Sequence, residues 1–553
     1  MNRRLKRLEL LKNKSDSDIK IKEIRSLLDR KDYVKANELI NEILDESPKD
    51  DQAMALSSFV SAKFGYVDFA IESLLKAIDV NPFNEYALTL LARIYAEKQD
   101  YDNAKKYYLK ANKINNGNVD VYKGMANVCL SLKKDDEAYE FARAAVVHVP
   151  NNAEAHYVFA DVLRQKGLLD DAGLHYEKAV ELDSGSRSAM LGCAITAFSK
   201  GNFKQSVELY RKIPDYKDEP RILWNYSLAL LACGEFKEGY SIYKYGFPCK
   251  TRAPNRMMSM KKPEWKGESL KGKTLLIWRE QGVGDELLFS YFYKEVIRGA
   301  GKVIIECEKR LVSLFKKTFK DAEVRAQSCS VEEIKKDGDV VYKELMEDYD
   351  YHIPAMQIPG VLYDCPQQIP FNKGFLNIDE NLKQKWKQRL SNLKGLKVGI
   401  MWRSGNVKRA RGLEYAVVED LKKTFSVKDV SFVNLMYSEC EEEKQYIKEN
   451  YGAILHEWED LNLKDDFEDV FALIDGLDLV VSPGTTVINM AGLINKPAIL
   501  FGRMYSWTFY GQKQSPIVPS IKVVLKNKWN DDNIKLDEDI ANMIEKFKQE
   551  KKL

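Results

Sequence analysis

Alanine returns every 34 residues through the first part of the chain, at Ala36, Ala70, Ala104, Ala138 and Ala172, with Ser206 in the next place. Pro48, Pro82 and Pro150 keep the same period on a second track, with Asn116 at the missing step. Two tracks in phase over several units demand a fold of stacked modules, because a unit this short covers its apolar face only with its neighbours. Each unit reads as two helices. In the one from Glu85, Leu88, Leu91, Ala92 and Tyr95 share one helical face, and Ala104, Tyr108 and Ala111 share the next. The small residue lets the paired helices approach closely, and proline cannot continue the second helix.

This pattern resembles the tetratricopeptide repeat. Six regular units run from about residue 17, and a shortened seventh ends near Tyr245, so the array is expected over 17–246. In that last unit Gly234–Gly239 echoes Gly201–Ser206 at a spacing of 33, behind a helix opening at Trp224. Such arrays hold an extended peptide or a partner helix on their concave face. Helical phase puts Tyr86, Arg93, Lys123, Asn127, Tyr157, Asp161 and Arg164 on that face. They are either ordinary solvated residues or a groove for a protein or peptide partner.

The whole-chain totals exclude several classes. With 86 basic against 83 acidic residues the net charge is +3, which gives no electrostatic case for nucleic acid or an anionic membrane. Eight scattered cysteines and five widely spaced histidines show no metal-ligand spacing, so no metal is expected; no bound cofactor is expected either. No apolar run reaches the ~18–20 residues of a membrane span, and the basic start at Arg3-Arg4 lacks a signal-peptide core. The expected location is the cytoplasm.

Phe247–Lys273, broken by Pro248, Pro254, Pro263, Gly267 and Gly272, reads as a linker over 247–273. Strand-like runs then alternate with helical patterns. Thr274–Trp278, Val303–Cys307, Lys397–Trp402, Val430–Leu435, Leu479–Val481 and Ala498–Phe501 are expected strands; helices are expected from Asp285, over Arg310–Phe319 and Asp379–Asn392, and from Glu441. Alternation of this kind means parallel sheets covered by helices. The expected fold class is α plus α/β: a tetratricopeptide superhelix, then two Rossmann-like halves over 274–395 and 396–536, then a charged C-terminal helix over 537–553. Ligands of such halves sit at the carboxyl ends of the strands.

Three stretches carry chemistry. Gln281-Gly282-Val283-Gly284-Asp285-Glu286 reads strand, glycine turn, helix; its glycines allow close backbone approach, and its acidic pair either caps the helix or acts as a base. Trp402-Arg403-Ser404-Gly405-Asn406, with Lys408, Arg409 and Arg411 behind it, is either a solvated basic loop or a clamp for an anion. Ser482-Pro483-Gly484-Thr485-Thr486 follows a buried strand and opens a helix through Asn489, as an ordinary capped turn or a phosphate turn.

With their flanks, Glu280–Phe289, Val398–Gly405 and Leu479–Gly492 resemble the GT-B glycosyltransferases related to bacterial heptosyltransferases, in the version that carries an N-terminal tetratricopeptide array. The resemblance spans roughly Thr274 to Lys526. The O-linked N-acetylglucosamine transferases combine similar parts, but no asparagine ladder is evident in this chain's groove.

The resemblance implies Asp285 as general base, with Glu286 as fallback, and a nucleotide sugar held by Gly282, Gly284, Arg403, Ser404, Ser482, Gly484, Thr485, Thr486 and Asn489. It implies a Ser or Thr hydroxyl of a protein, with flagellin as an example, as acceptor. The family pattern has an aspartate where this chain has Gly484 and a histidine where it has Asn489. A scaffold with an unreactive module, or a transferase acting on a saccharide or lipid, remain the alternatives. Asp348-Tyr349-Asp350 has the D-x-D form of metal-dependent transferases, Asp466, Glu468 and Asp469 are placed to reach a ribose or cap a helix, and Tyr437–Glu441 is a base-pocket wall or a surface loop.

Overall fold

The computed structural model describes residues 17–249, 251–252, 256–257, 260–327, 331–334, 340–342, 346–405, 414–503, 505–525 and 534–552. They divide into two compact units, one running through Lys166 with Asp171–Ala189, the other comprising Gly167–Asp170 and the chain from Met190 onward.

In the first unit helices follow in pairs: 17–29 with Tyr33–Glu46, Asp51–Lys63 with Val67–Val80, Glu85–Glu97 with Tyr101–Ile114, and Val119–Ser131 with Asp135–His148. Ala153–Lys166 and Leu169–Leu182 continue the series. Every alanine of the 34-residue track is fully buried, as close helix contact requires. The prolines fall two residues beyond the helix ends at Glu46, Val80 and His148. A third track also keeps the period. Asp50, Asn84, Asn118 and Asn152 each accept a backbone N–H in the first turn of the next helix through a side-chain oxygen.

The second unit begins inside what the sequence presents as one array. Phe203–Lys212, Pro220–Cys233 and Phe236–Ile242 are repeat helices, and Ser206 donates from Oγ to Ala194 O at 2.8 Å, so its hydroxyl is tolerated where alanine stood. The last of these helices enters the core of the sheet region. Tyr240 packs against Gly360, where a Cβ would lie 2.4 Å from its Cβ and Cγ, and its hydroxyl shares a 2.7 Å hydrogen bond with Tyr510.

Two parallel sheets follow. Strands β1 (Thr274–Trp278), β2 (Lys302–Cys307), β3 (Glu323–Ala326) and β6 (Tyr351–Pro354) form the first, in the order β3-β2-β1-β6. A separate antiparallel pair, β4 (Val331–Ile334) and β5 (Val340–Tyr342), lies between β3 and β6 in sequence. The second sheet has β7 (Leu396–Ile400), β8 (Val430–Asn434), β9 (Leu455–His456), β10 (Leu479–Pro483), β11 (Ala498–Gly502) and β12 (Ile521–Leu525), ordered β12-β11-β10-β7-β8-β9. The strands of both sheets pair in parallel, and one continuous apolar core runs through both.

Three expectations need correction. Phe247–Lys273 is not a free linker: Phe247, Trp265 and Leu270 are buried, and it carries two buried arginines, Arg252 on Glu280 and Arg256 on Glu306. Glycines and prolines mark irregular backbone, but they do not say whether it is covered. Glu380–Ser391, assigned to the first half, packs on the second-half helix Phe467–Gly476, where Asp469 accepts from Trp386 Nε1 at 2.9 Å. The last helix starts earlier, at Ile534, and its Asp537 accepts from the backbone N–H groups of Lys423 and Thr424 in the second half.

Gly360→Ala is expected to destabilise the second unit by about 1–3 kcal/mol, since the new Cβ would meet Tyr240 at its Cβ and Cγ, the root of that side chain and not its movable end. Urea unfolding followed by tryptophan fluorescence measures it, and an unchanged midpoint would show that Tyr240 does not pack there.

Candidate functional site

The helix Val283–Phe289 follows β1, and Gly282 is its N-cap residue, with no side-chain cap. Asp285 is therefore not the cap but the third residue of the first turn, where the free N–H groups favour a negative charge. The structure separates the acidic pair. Glu286 is buried, 2% exposed, and both its oxygens accept from the Glu308 backbone N–H, at 3.1 and 3.2 Å. Burial lifts its carboxyl to about 7, against the opposing pull of Arg279 and the Glu308 N–H. Asp285 is only half-buried. Its charge, with that of Glu280, adds to the burial that holds the Tyr243 hydroxyl well above its ordinary range, against the influence of Arg252.

The turn after β10 lies across from this helix. A Cβ on Gly284 would come within 3.1 Å of Thr486 Oγ1 and 3.4 Å of Thr486 Cα, so glycine is what allows this approach. Asn489 Nδ2 donates to Gly284 O at 2.9 Å. The structure thus brings Gly284, Thr486 and Asn489 together, and Asn489 serves as a bridge between the two halves. Ser482 is fully buried, sharing a 2.9 Å hydrogen bond with Thr485 Oγ1. Gly484 is exposed, with open space where a Cβ would stand.

Arg403 ends the segment after β7, and its guanidinium is engaged. Glu443 takes Nε and Nη2, at 2.6 and 2.5 Å, while Ser438 Oγ and Glu439 O accept from Nη1 and Nη2. Burial pushes Glu443 up, but the Arg403 and Trp402 N–H donors outweigh it and hold its carboxyl below the usual value. Ser404 Oγ pairs with Tyr437 Oη at 2.7 Å. Asn406, Lys408, Arg409 and Arg411 lie outside the described residues.

Asp348 and Asp350 sit at the amino ends of the first-sheet strands, the wrong end for a site. Asp348 pairs with Arg325, and Asp350 Oδ2 accepts from Thr274 N at 2.8 Å. Asp466 accepts from Asn462 N, Glu468 pairs with Lys317 and Asp469 with Lys385, which gives all three carboxylates structural partners. Ser438, Glu439, Cys440 and Glu441 line a pocket of about 190 Å³ with Asn434, Lys444 and Trp458. Sequence reading missed Arg503, which follows β11 directly and whose guanidinium burial holds below its ordinary value; the signal available was an arginine two residues past the last apolar strand residue, Phe501.

In the first unit Tyr86, Arg93, Lys123 and Asn127 line one groove of about 880 Å³ with Phe83 and Tyr108. Gly124 makes room for the Tyr108 ring, 2.2 Å from where its Cβ would be. Tyr157, Asp161 and Arg164 do not line this groove. Arg164 is held by Asp161 at 2.6 Å and by Tyr176 Oη at 3.3 Å, and Lys123 lies 5.9 Å over the Tyr157 ring. Among the described residues no group of three or more His, Cys, Asp or Glu is placed to hold a metal, and no helix is long and apolar enough to cross a membrane.

Models of the tetratricopeptide repeat match residues 67–119, 95–162 and 153–185. Protein FlbA of Caulobacter vibrioides is 25% identical over 507 residues, covering 90% of this chain and 85% of its own. Among solved structures, YrrB, described as a TPR protein with an unusual peptide-binding site, is 21% identical at a TM-score of 0.27, over 33% of this chain and 94% of its own. Pseudomonas aeruginosa PilF is 18% identical at 0.32, over 43% of this chain and 99% of its own. Residues 67–185 carry tetratricopeptide repeats.

The position of Glu286 makes a pH prediction. Its folded value lies above its unfolded one, so its contribution is intact near pH 4.5 and is lost as pH rises through about 7. The full loss is about 3 kcal/mol. Glu286→Gln is expected to flatten this part of the fall in urea midpoint between about pH 4.5 and pH 7; an identical slope in the variant would place the titration elsewhere.

Proposed function

We propose that the chain is a glycosyltransferase that moves a sugar from a nucleotide-sugar donor to a Ser or Thr hydroxyl of a protein held by the repeats. The observation that carries this reading is the contact of Gly284 with Thr486 and Asn489. It sets the first turn of one helix, with Asp285, beside the first turn of another, with Ser482–Thr486, where two parallel sheets meet. Both helices follow the carboxyl ends of strands, the end at which α/β folds bind ligands.

The chemistry divides between the two sides. The acceptor hydroxyl oxygen attacks the anomeric carbon, the new C–O bond forms, and the bond to the nucleotide phosphate breaks. Asp285 takes the hydroxyl proton, a task suited to a carboxylate at the edge of a cleft. Glu286, facing inward on the Glu308 N–H, shapes the turn instead. The N–H groups around Gly484–Thr486 offer donors to the departing phosphate oxygens, which leave carrying the negative charge. Arg403 contributes once Glu443 yields one of its N–H groups. The groove around Tyr86, Arg93 and Asn127 serves the protein acceptor.

A second reading is a binding scaffold whose module no longer reacts. Asn489 is committed to Gly284, Arg403 is engaged by Glu443, and Gly484 presents no side chain.

Asp285→Asn tests the first reading. In a panel of UDP-, GDP-, dTDP- and CMP-sugars, the wild type is expected to bind and slowly hydrolyse one donor. The variant should bind it equally and turn it over about 10²–10⁴-fold more slowly. Equal turnover removes Asp285 as the base, and no binding of any donor by the wild type favours the scaffold.

A further inference from the structure

A line of acidic and basic side chains runs from the helix Val283–Phe289 to the other half. Glu286, buried in that helix, lies 3.4 Å from Arg279 Nε. Arg279 also binds the Glu308 carboxylate, and Glu308 Oε1 accepts from Arg310 Nε at 3.2 Å. Arg310 then crosses to the second half: its Nη1 donates to Lys464 O at 2.7 Å, stands 3.7 Å from Asp465 Oδ1, and its guanidinium lies 4.7 Å over the Phe467 ring. Each guanidinium uses two or more of its donors, the fork geometry that fixes direction as well as distance.

The crossing point is not an isolated surface pair. Lys464 and Asp465 belong to a turn closed by Asn462, whose Oδ1 accepts from both backbone N–H groups, and that turn leads into the helix Phe467–Gly476. In the first turn of the same helix, Gly284 O receives Asn489. The helix is therefore held from the second half at two places, directly at Gly284 and indirectly through Glu308 and Arg279.

We propose that Arg310 is a positioning residue, coupling the 462–467 turn of the second half to the setting of the helix that carries Asp285 through Glu308, Arg279 and Glu286. Separation of the halves at Arg310 frees Glu308. Arg279 then draws towards Glu308 or Glu286 rather than bridging them, and the first turn of the helix loses its support. The inference deepens the transferase reading, because Asp285 moves with that turn. The coupling itself is independent of whether any sugar is transferred.

Hydrogen exchange of the full chain reads the coupling without a substrate. Arg310→Gln is expected to raise amide exchange within 283–289 about tenfold, although Arg310 reaches that helix only through its two partners. Glu308→Gln should do the same, and the double variant should add nothing further. Lys317→Gln is the control. Lys317 also crosses between the halves, to Glu468 and Asp379, but has no link to Glu308. It should loosen the chain around Asp379 and leave 283–289 unchanged. Faster exchange confined to 464–468 in Arg310→Gln, or additive effects in the double variant, would overturn the proposal. Should Arg310→Gln not fold, Arg310→Lys keeps the charge without the fork and is read in the same way. Loss of transfer in Asp285→Asn with no coupling in Arg310→Gln would sink this inference alone, and coupling without transfer would sink only the transferase reading.

Discussion

The candidate site depends on one missing side chain. With hydrogen in place of a Cβ at Gly284, the helix after β1 reaches Thr486 and receives the amide of Asn489. A larger residue there would push the first turn away from the turn after β10, and with it Asp285. Neither helix starts with a side-chain cap: the N-cap residues are Gly282 and Thr485.

Around this contact the second unit is held by groups that are costly to bury. Arg252 and Arg256 come from the segment before β1, and each is sealed against a glutamate at the carboxyl ends of β1 and β2. Glu280 also accepts from Met356 N at 3.0 Å, which fastens the residue after β1 to the residues after β6. Buried ion pairs contribute little net stability over apolar packing, but losing one partner costs about 3–5 kcal/mol. Their effect is to fix one arrangement. Tyr240 does similar work from the repeats, packing on Gly360 of one sheet region and bonding Tyr510 of the other.

The repeats were legible because their constraint is local and periodic: helix contact at Ala36 through Ala172 admits only small residues, and a period of 34 repeats that demand. The strands most easily read, β1 and β10, are apolar runs buried along their length. β3, β6, β9 and β12 escaped notice because they are short or carry polar residues. The site was half legible. The motif residues Gly284, Thr486 and Asn489 do converge, but nothing in the sequence tells that Asn489 faces a backbone carbonyl, that Glu443 occupies Arg403, or that Glu286 turns inward. Those are pairings between distant segments, set by the register of two sheets. Phe247–Lys273 misled for the same reason, since composition reports irregular backbone and not what lies over it.

The central claim is that the meeting of the two sheets is a nucleotide site with Asp285 at its edge. Hydrogen exchange of the full chain with saturating UDP, GDP, ADP, dTDP or CMP tests it most directly. The account predicts that one nucleotide slows exchange at 482–489 and 402–405, with little change in the repeats. Protection confined to other regions, or no protection by any of the five, would contradict it.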